Sequence, residues 1–379
     1  MKILVLCYEY PPVGGGGGRV AQSLAEELAS RGHQVRVQTA GMSHLPAREI
    51  IGNVAIFRSQ SFRRREDTCA VHEMGLFVLT SFLPTLRHIR QWKPDVVHAH
   101  FAVPTGLLAW AVHALTGIPY VLTAHLGDVP GGVPEQTGTL FKLIDPIARR
   151  IWNKAAAATA VSSFVQELAE RAYGRPVTRI LNGIDLTGAA PEAPATVGLP
   201  PRMVFVGRFN PQKNTPFLID ALSRIAELPW TLTMIGDGPD MAAVRERLTR
   251  YALSSRVTLT GWLRTPEVQQ VLANADLLCM PSTSEGMPVA AVEALRNGVA
   301  IVASDIPGVR DVVAHELNGA LSPLNDVEAF ARVLRRILTD PARLLAMKQA
   351  SWQKARDFDL KKIAVEYEHI LAAAAIPAP

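Results

Sequence analysis

The chain has 379 residues, of which 48% are hydrophobic and 19% charged. That predicts two globular domains and excludes a disordered chain, because single cores stop growing at about 250–300 residues. The formal net charge of +5 sits wholly in residues 1–185, which carry 19 basic and 14 acidic side chains against 20 and 20 in the remainder.

Cys7, Cys69 and Cys279 are too few and too far apart for a disulfide framework or a cysteine-based zinc site, and they fit a reducing cytoplasm. The start, "MKILVLCYEYPP", lacks the long apolar segment of a secretory leader.

"KILVLCY" predicts a strand buried on both faces, as in a parallel sheet. A loop of five glycines, Gly14–Gly18, follows. "RVAQSLAEELASRG" then predicts a helix with Val20, Leu24, Ala25 and Leu28 on its inner face. "HQVRVQTA", "VAIFRS", "DVVHAH", "YVLTAH", "AAAATAVS" and "VTRILNGID" continue as strands, several followed by helical segments.

Arg63–Arg65 and Arg87, Arg90 and Lys93, the latter three behind the apolar run "GLFVLTSFLPTL", form either a solvated face or a face for an anionic lipid or acceptor. No aromatic-rich basic strand or recognition helix accompanies them, so no nucleic-acid partner is predicted. Phe101–Leu126 lacks charged side chains, but Pro104, Gly106, Gly117 and Pro119 divide it into a buried helix and a buried strand.

"TGAAPEAPATVGLPP", from Thr187, predicts an interdomain linker. Strand and helix patterns then alternate again from "MVFVGRF" to "GALSP", a second doubly wound domain. The tail from Leu360 predicts one further helix. The expected division is 1–187 with 360–379, and 188–359.

The glycine loop fails two nucleotide fingerprints. Counted from Gly14, the sixth position of G-x-G-x-x-G is Arg19, and "RVQTAG" ends the second strand without the ribose-binding acid. No Lys follows the glycines, as a P-loop requires. What remains is a loop at the carboxyl end of a strand that opens a helix, where backbone amides and the helix dipole favour an anion. A plain hinge is the alternative. His98, His100, His113 and His125 lack H-x-x-x-H spacing, so no metal site is predicted.

In the second half, Arg208 and Lys213 follow a strand, a fork and a mobile point charge suited to a diphosphate. "PSTSEGMPVAAVEALRNG" places Glu285 in a turn and Glu293 eight residues on, within a helix opened by Pro288. Two such carboxylates can accept bonds from sugar and ribose hydroxyls. Alternatively, Glu293 pairs with Arg296 at i, i+3.

"GRFNPQKN" followed by "PSTSEGMPVAAVEALRNGVAIVASDIPGVRDVV" resembles the family 4 glycosyltransferases, of the GT-B fold. "GHQV", "DVVHAHF", "LTAHLGD" and "LNGID" in the first half agree, so the resemblance spans nearly the whole chain. "HLGD" departs from the family's usual His-Gly order.

The resemblance implies an α/β fold of two Rossmann-like doubly wound parallel-sheet domains facing a cleft, with the C-terminal helix crossing back to the first. It implies a retaining, metal-independent enzyme without cofactor that moves a hexose or N-acetylhexosamine from a nucleotide diphosphate sugar, UDP- or GDP-linked, to a hydroxyl acceptor. That acceptor is expected to be anionic or lipid-linked, with the enzyme in the cytoplasm or at the inner membrane face.

By resemblance, Arg208, Lys213, Glu285 and His125 are catalytic. Gly15, Gly16, Gly261, Leu263, Gly286, Met287, Pro288, Val289 and Glu293 join Arg208, Lys213 and Glu285 at the donor. Gly16, Gly17, His100, His125 and Asp128 lie on the acceptor side. A nucleotide-sugar epimerase or hydrolase of the same fold, and a binding module without turnover, are the alternatives.

Overall fold

The computed structural model describes residues 1–66, 68–188 and 192–376, and for 134–143 only the course of the backbone. Residues 189–191 of the predicted linker and 377–379 of the predicted terminal helix therefore lie outside the described residues. The chain divides into two compact units, Met1–Asp185 with Leu360–Pro379, and Leu186–Asp359.

Unit 1 runs β1 (Lys2–Cys7), α1 (Gly16–Ser30), β2 (Gln34–Gly41), β3 (Arg48–Ile51), β4 (Val54–Gln60), α2 (Val71–Trp92), β5 (Val96–His100), α3 (Thr105–Thr116), β6 (Tyr120–Ala124), α4 (Pro134–Lys154), β7 (Ala157–Ala160), α5 (Ser163–Tyr173) and β8 (Thr178–Arg179). Its sheet has the order β3-β4-β2-β1-β5-β6-β7-β8, and among the described residues only the β3–β4 pair is antiparallel. β1, β5 and β6 are buried almost throughout, as strands covered on both faces are.

Unit 2 runs β9 (Arg202–Val206), α6 (Thr215–Ser223), β10 (Thr231–Ile235), α7 (Met241–Arg250), β11 (Val257–Gly261), α8 (Thr265–Ala273), β12 (Leu277–Met280), α9 (Val289–Arg296), β13 (Ala300–Ser304), β14 (Gly319–Ser322), α10 (Val327–Leu338) and α11 (Pro341–Lys354). Its sheet is parallel throughout, in the order β11-β10-β9-β12-β13-β14. The last helix, α12 (Leu360–Ala375), belongs to unit 1. There Ile363, Ala364, Tyr367 and Leu371 share a core with β1 and α1, and Glu368 pairs with Arg31 and His33.

Strand order reverses beside β1 in unit 1 and beside β9 in unit 2. Ligands of open α/β sheets bind at the carboxyl ends of the strands flanking such a reversal. In unit 1 those ends carry the glycine loop and His100. In unit 2 they carry Arg208 and, after β12, Glu285.

Four details differ from the sequence reading. β3 was not expected, because "REII" is mostly exposed and short. β8 is two residues long, less than "VTRILNGID" suggested. Arg63 is buried, donating to Tyr8 O and Glu66 O, so the run at 63–65 is not one surface patch. Residues 194–198 of the predicted linker are strapped to unit 2: Pro194 O and Thr196 O accept from Gln349 and Lys348, and Gly198 N donates to Asp276.

Candidate active site

The glycine run is shorter as a loop than its sequence suggests. Gly16, Gly17 and Gly18 already form the first turn of α1, and Gly15 is its N-cap. Gly14 takes φ +101°, a conformation that suits glycine. The Gly15 amide donates to Glu9 Oε2 at 3.1 Å, so an internal carboxylate already meets the positive end of α1. Glu9 was not singled out in the sequence; its position seven residues after a strand start carries no motif.

Gly17 faces the second part of the unit 1 site. A Cβ there would lie 2.5 Å from the tip of the Phe101 ring and 3.4 Å from His125 Nδ1. Phe101 adopts φ +70° and stacks on His125 at 4.3 Å between centroids. A bulky residue in that region is strained, and such strain clusters at functional sites.

His125 Nε2 lies 3.2 Å from His100 Nδ1. Asp128 is buried and accepts from the backbone N–H groups of Ala102, His125 and Leu126 at 2.7–2.9 Å. Its carboxylate thus shapes the turn that carries His125. Burial drives the pKa of His125 and of His100 below the ordinary histidine value, so both imidazoles are neutral. His113 bonds to Ile118 O at the end of α3, a local helix-end contact.

Unit 2 builds its site from two tied loops. After β9, Phe209 N donates to Asp237 O, and Asn210 Oδ1 accepts from Lys213 N at 3.0 Å, closing a turn that carries Arg208 and Lys213. Gln212 Nε2 donates to Ser284 O at 2.9 Å, and Thr283 N donates to Gln212 O at 2.8 Å. These bonds bring the loop after β12 alongside. Lys213 Nζ then reaches Glu285 Oε1 at 2.6 Å, a charge-assisted bond at the carboxyl end of the sheet.

Gly286, Met287 and Pro288 are buried, Pro288 is the N-cap of α9, and Val289 opens that helix. Glu293 is buried on α9, one and a half turns on. Arg296 donates to Gln269 Oε1 and Thr187 O. Gly261, at φ +72°, ends β11 and accepts from Gly236 N at 2.8 Å, with Leu263 half-buried two residues on.

Gly308 was also missed by sequence reasoning. A Cβ there would lie 1.7 Å from Glu285 O, so only glycine lets the segment after β13 support the Glu285 loop. The "PG" pair was its available signal. Among the described residues, no group of three His, Cys, Asp or Glu side chains is arranged to hold a metal ion.

Two family descriptions match this chain: Glycosyltransferase Family 4 over residues 14–187, and Glycosyl transferases group 1 over residues 200–340. The chain belongs to glycosyltransferase family 4. This glycosyltransferase is 27% identical to glycogen synthase of Mycobacterium tuberculosis, over 99% of this chain and 95% of that one. Sucrose-phosphate synthase from Thermosynechococcus elongatus superposes with a TM-score of 0.81 at 22% identity, covering 98% of this chain and 99% of that one. Anabaena HepE in complex with UDP superposes with a TM-score of 0.76 at 21% identity, covering 98% and 100%. Both likenesses are to the GT-B fold, so the two parallel-sheet units of the glycosyltransferase are those of that architecture.

Proposed function

We propose that this enzyme transfers a hexose or N-acetylhexosamine from a UDP- or GDP-sugar to a hydroxyl acceptor, with retention at the anomeric carbon and without a metal ion. The observation that carries the reading is the Lys213–Glu285 contact. It sets a cation for a departing diphosphate beside a carboxylate that can accept bonds from sugar hydroxyls. The UDP bound by Anabaena HepE supports UDP as the first nucleotide to try.

In this reading the bond between the anomeric carbon and the diphosphate oxygen breaks while the acceptor oxygen bonds to the same face. The leaving phosphate oxygen takes the acceptor's proton. Arg208, Lys213 and the amides opening α9 meet the charge developing on the diphosphate, which is where fixed donors lower a barrier most. Glu285 holds hydroxyls of the transferred sugar and Glu293 those of the ribose. His125 and Gly15–Gly17 serve from unit 1.

Product anomeric configuration by proton NMR tests retention. Release of nucleoside diphosphate only when acceptor is present tests transfer against hydrolysis or epimerisation. Full turnover in EDTA is expected; loss of turnover restored by a divalent cation would overturn the metal-independent part.

The acceptor is proposed to be anionic or lipid-linked, met at the inner face of the membrane. On α2, Leu79 and Leu83 are 73% and 61% exposed, and Arg87, Arg90 and Lys93 follow them. An apolar stripe that runs into a basic one fits an anionic bilayer. None of the described helices is long and apolar enough to cross a membrane. Sedimentation with phosphatidylglycerol vesicles at low salt, lost in Leu79→Ser/Leu83→Ser, is expected; equal recovery with phosphatidylcholine vesicles or none with either would sink this contact.

A further inference from the structure

β5 places His98 and His100 two residues apart on one face of the sheet, and β6 brings Thr123 opposite His100. His98 Nε2 bonds to Thr123 Oγ1 at 2.8 Å, and Thr123 Oγ1 meets Thr159 Oγ1 at 2.7 Å. The His98 ring also packs 4.2 Å from His100 and 5.2 Å from Tyr367 of α12. His100 is therefore wedged between His98 and His125, and it is 1% exposed. His100 reaches toward the glycine loop through His125.

The pair His100 and His125 shares one contact, Nδ1 to Nε2, at 3.2 Å. Both rings are neutral, so one proton lies in that contact and two arrangements exist. If His125 donates from Nε2, His100 must keep its proton on Nε2. That atom is buried and has no partner among the described residues, so an N–H would be orphaned. If His100 donates from Nδ1, its Nε2 is a bare lone pair. Orphaned buried N–H groups are rarer in folded proteins than under-satisfied acceptors. The second arrangement leaves His125 with its proton on Nδ1, and Nδ1 is the atom that faces Gly17 at the opening of α1.

We propose that His100 is a positioning residue that fixes His125 in the Nδ1–H tautomer, so that His125 offers a hydrogen-bond donor, not a base, to a ligand oxygen beside Gly17. Which oxygen receives it rests on the glycosyltransfer reading above; the tautomer does not. Phe101 holds the ring from one face and Asp128 holds its backbone, and among the described residues His100 is the hydrogen-bond partner of the His125 ring. The substitution His100→Asn would keep a donor at the place of Nδ1–H, whereas His100→Phe would fill the space without one.

The test is long-range proton–nitrogen NMR of the full-length, ligand-free protein labelled with nitrogen-15 in histidine. His125 is expected to show a protonated-type Nδ1 and a bare Nε2 in the wild type and in His100→Asn. His100→Phe is expected to lose that pattern and to lower turnover about ten- to a hundred-fold, as when a histidine loses the group that orients it. His100→Asn should keep turnover within a few-fold. A protonated Nε2 on His125 in the wild type overturns the proposal, whether or not the variants fold. So does an unchanged His125 pattern in folded His100→Phe. If the pattern is as stated but the wild type transfers no sugar, the transfer reading fails and the tautomer assignment stands.

Discussion

Lys213 Nζ donates to Glu285 Oε1 at 2.6 Å, joining the loop after β9 to the loop after β12. The Glu285 side chain is 8% exposed, and the lysine is its ion-pair partner. Lys213→Ala is expected to cost about 1–3 kcal/mol of stability, because a carboxylate is left buried without its cation. Turnover should fall about 10²–10³-fold, the usual loss when one donor to a developing anion is removed. Adding Glu285→Gln should restore much of the melting temperature but none of the turnover. Thermal unfolding and initial rates on the two variants check this, and recovery of activity in the double variant would contradict both assigned roles.

Gly15 and Gly17 are two residues apart but differ in their surroundings. A Cβ on Gly15 would find its nearest atom at 4.0 Å, whereas one on Gly17 would run into Phe101 and its stack on His125. Gly15→Ala should leave the melting temperature close to wild type. Gly17→Ala should displace the Phe101 ring and lower kcat/KM by tenfold or more, with a small loss of stability. Equal effects of the two substitutions would argue against His125 facing α1.

Gly308→Ala places a Cβ 1.7 Å from Glu285 O and 2.9 Å from Gly286 O. Backbone must move, and what moves is the Glu285 loop. The expected result is a KM for nucleotide sugar raised by tenfold or more, together with a loss of about 1–3 kcal/mol from overpacking. Titration calorimetry with UDP and with a UDP-sugar would separate the two: the sugar-dependent part of the affinity should suffer more.

Lys348 Nζ lies 2.6 Å from Asp276 Oδ1, and the Asp276 side chain is fully buried. The same carboxylate accepts from Gly198 N and Arg202 N. It therefore strings together the strap at 194–198, β9 and α11. Lys348→Met should destabilise by about 3–5 kcal/mol, since breaking a buried pair strands the remaining charge. Urea denaturation measures it. Kinetic constants well below the melting temperature should be unchanged, because neither residue touches the candidate site.

Stability should fall in acid in two stages. Burial lowers the pKa values of His98 (to about 3), His100 and His125, while an unfolded histidine titrates near 6.5. Below pH 6.5 the unfolded chain therefore binds more protons than the folded one. Each such histidine removes up to about 1.4 kcal/mol per pH unit. Glu368, held at about 2 by hydrogen bonds from Arg31 and then His33, adds a second loss as pH falls below 4.5. A melting temperature that stays level from pH 6.5 to 5 would show that the three imidazoles are not buried as described.

Patterns carried by chain-local chemistry were legible from the sequence. The buried strands announce themselves as short apolar runs, and Phe101–Leu126 divides at its glycines and prolines into α3 and β6 as the breaker residues require. Arg208, Lys213 and Glu285 stand out because each follows a strand, and Glu293 because it lies eight residues beyond Glu285 within the helix that Pro288 opens. β3 escaped because an exposed edge strand has no apolar alternation to detect. Gly16–Gly18 escaped as helix because glycine has poor intrinsic propensity, which α1's packing on the sheet overrides.

By itself the sequence determined the α/β class, because hydrophobic period and turn chemistry are local properties, and its ordered motifs carried the resemblance to the family. Partner choice came only with the tertiary structure. Glu9 caps α1, Asp128 binds three backbone amides, and Lys213 closes on Glu285. His100 lies behind His125, and Asp276 straps a segment that reads as a free linker. Each of these depends on which strands lie side by side in the sheet. β1 and β5 are neighbours although 89 positions separate Cys7 from Val96, and β9 and β12 although 71 separate Val206 from Leu277. The side chains that their ends bring together share no local pattern.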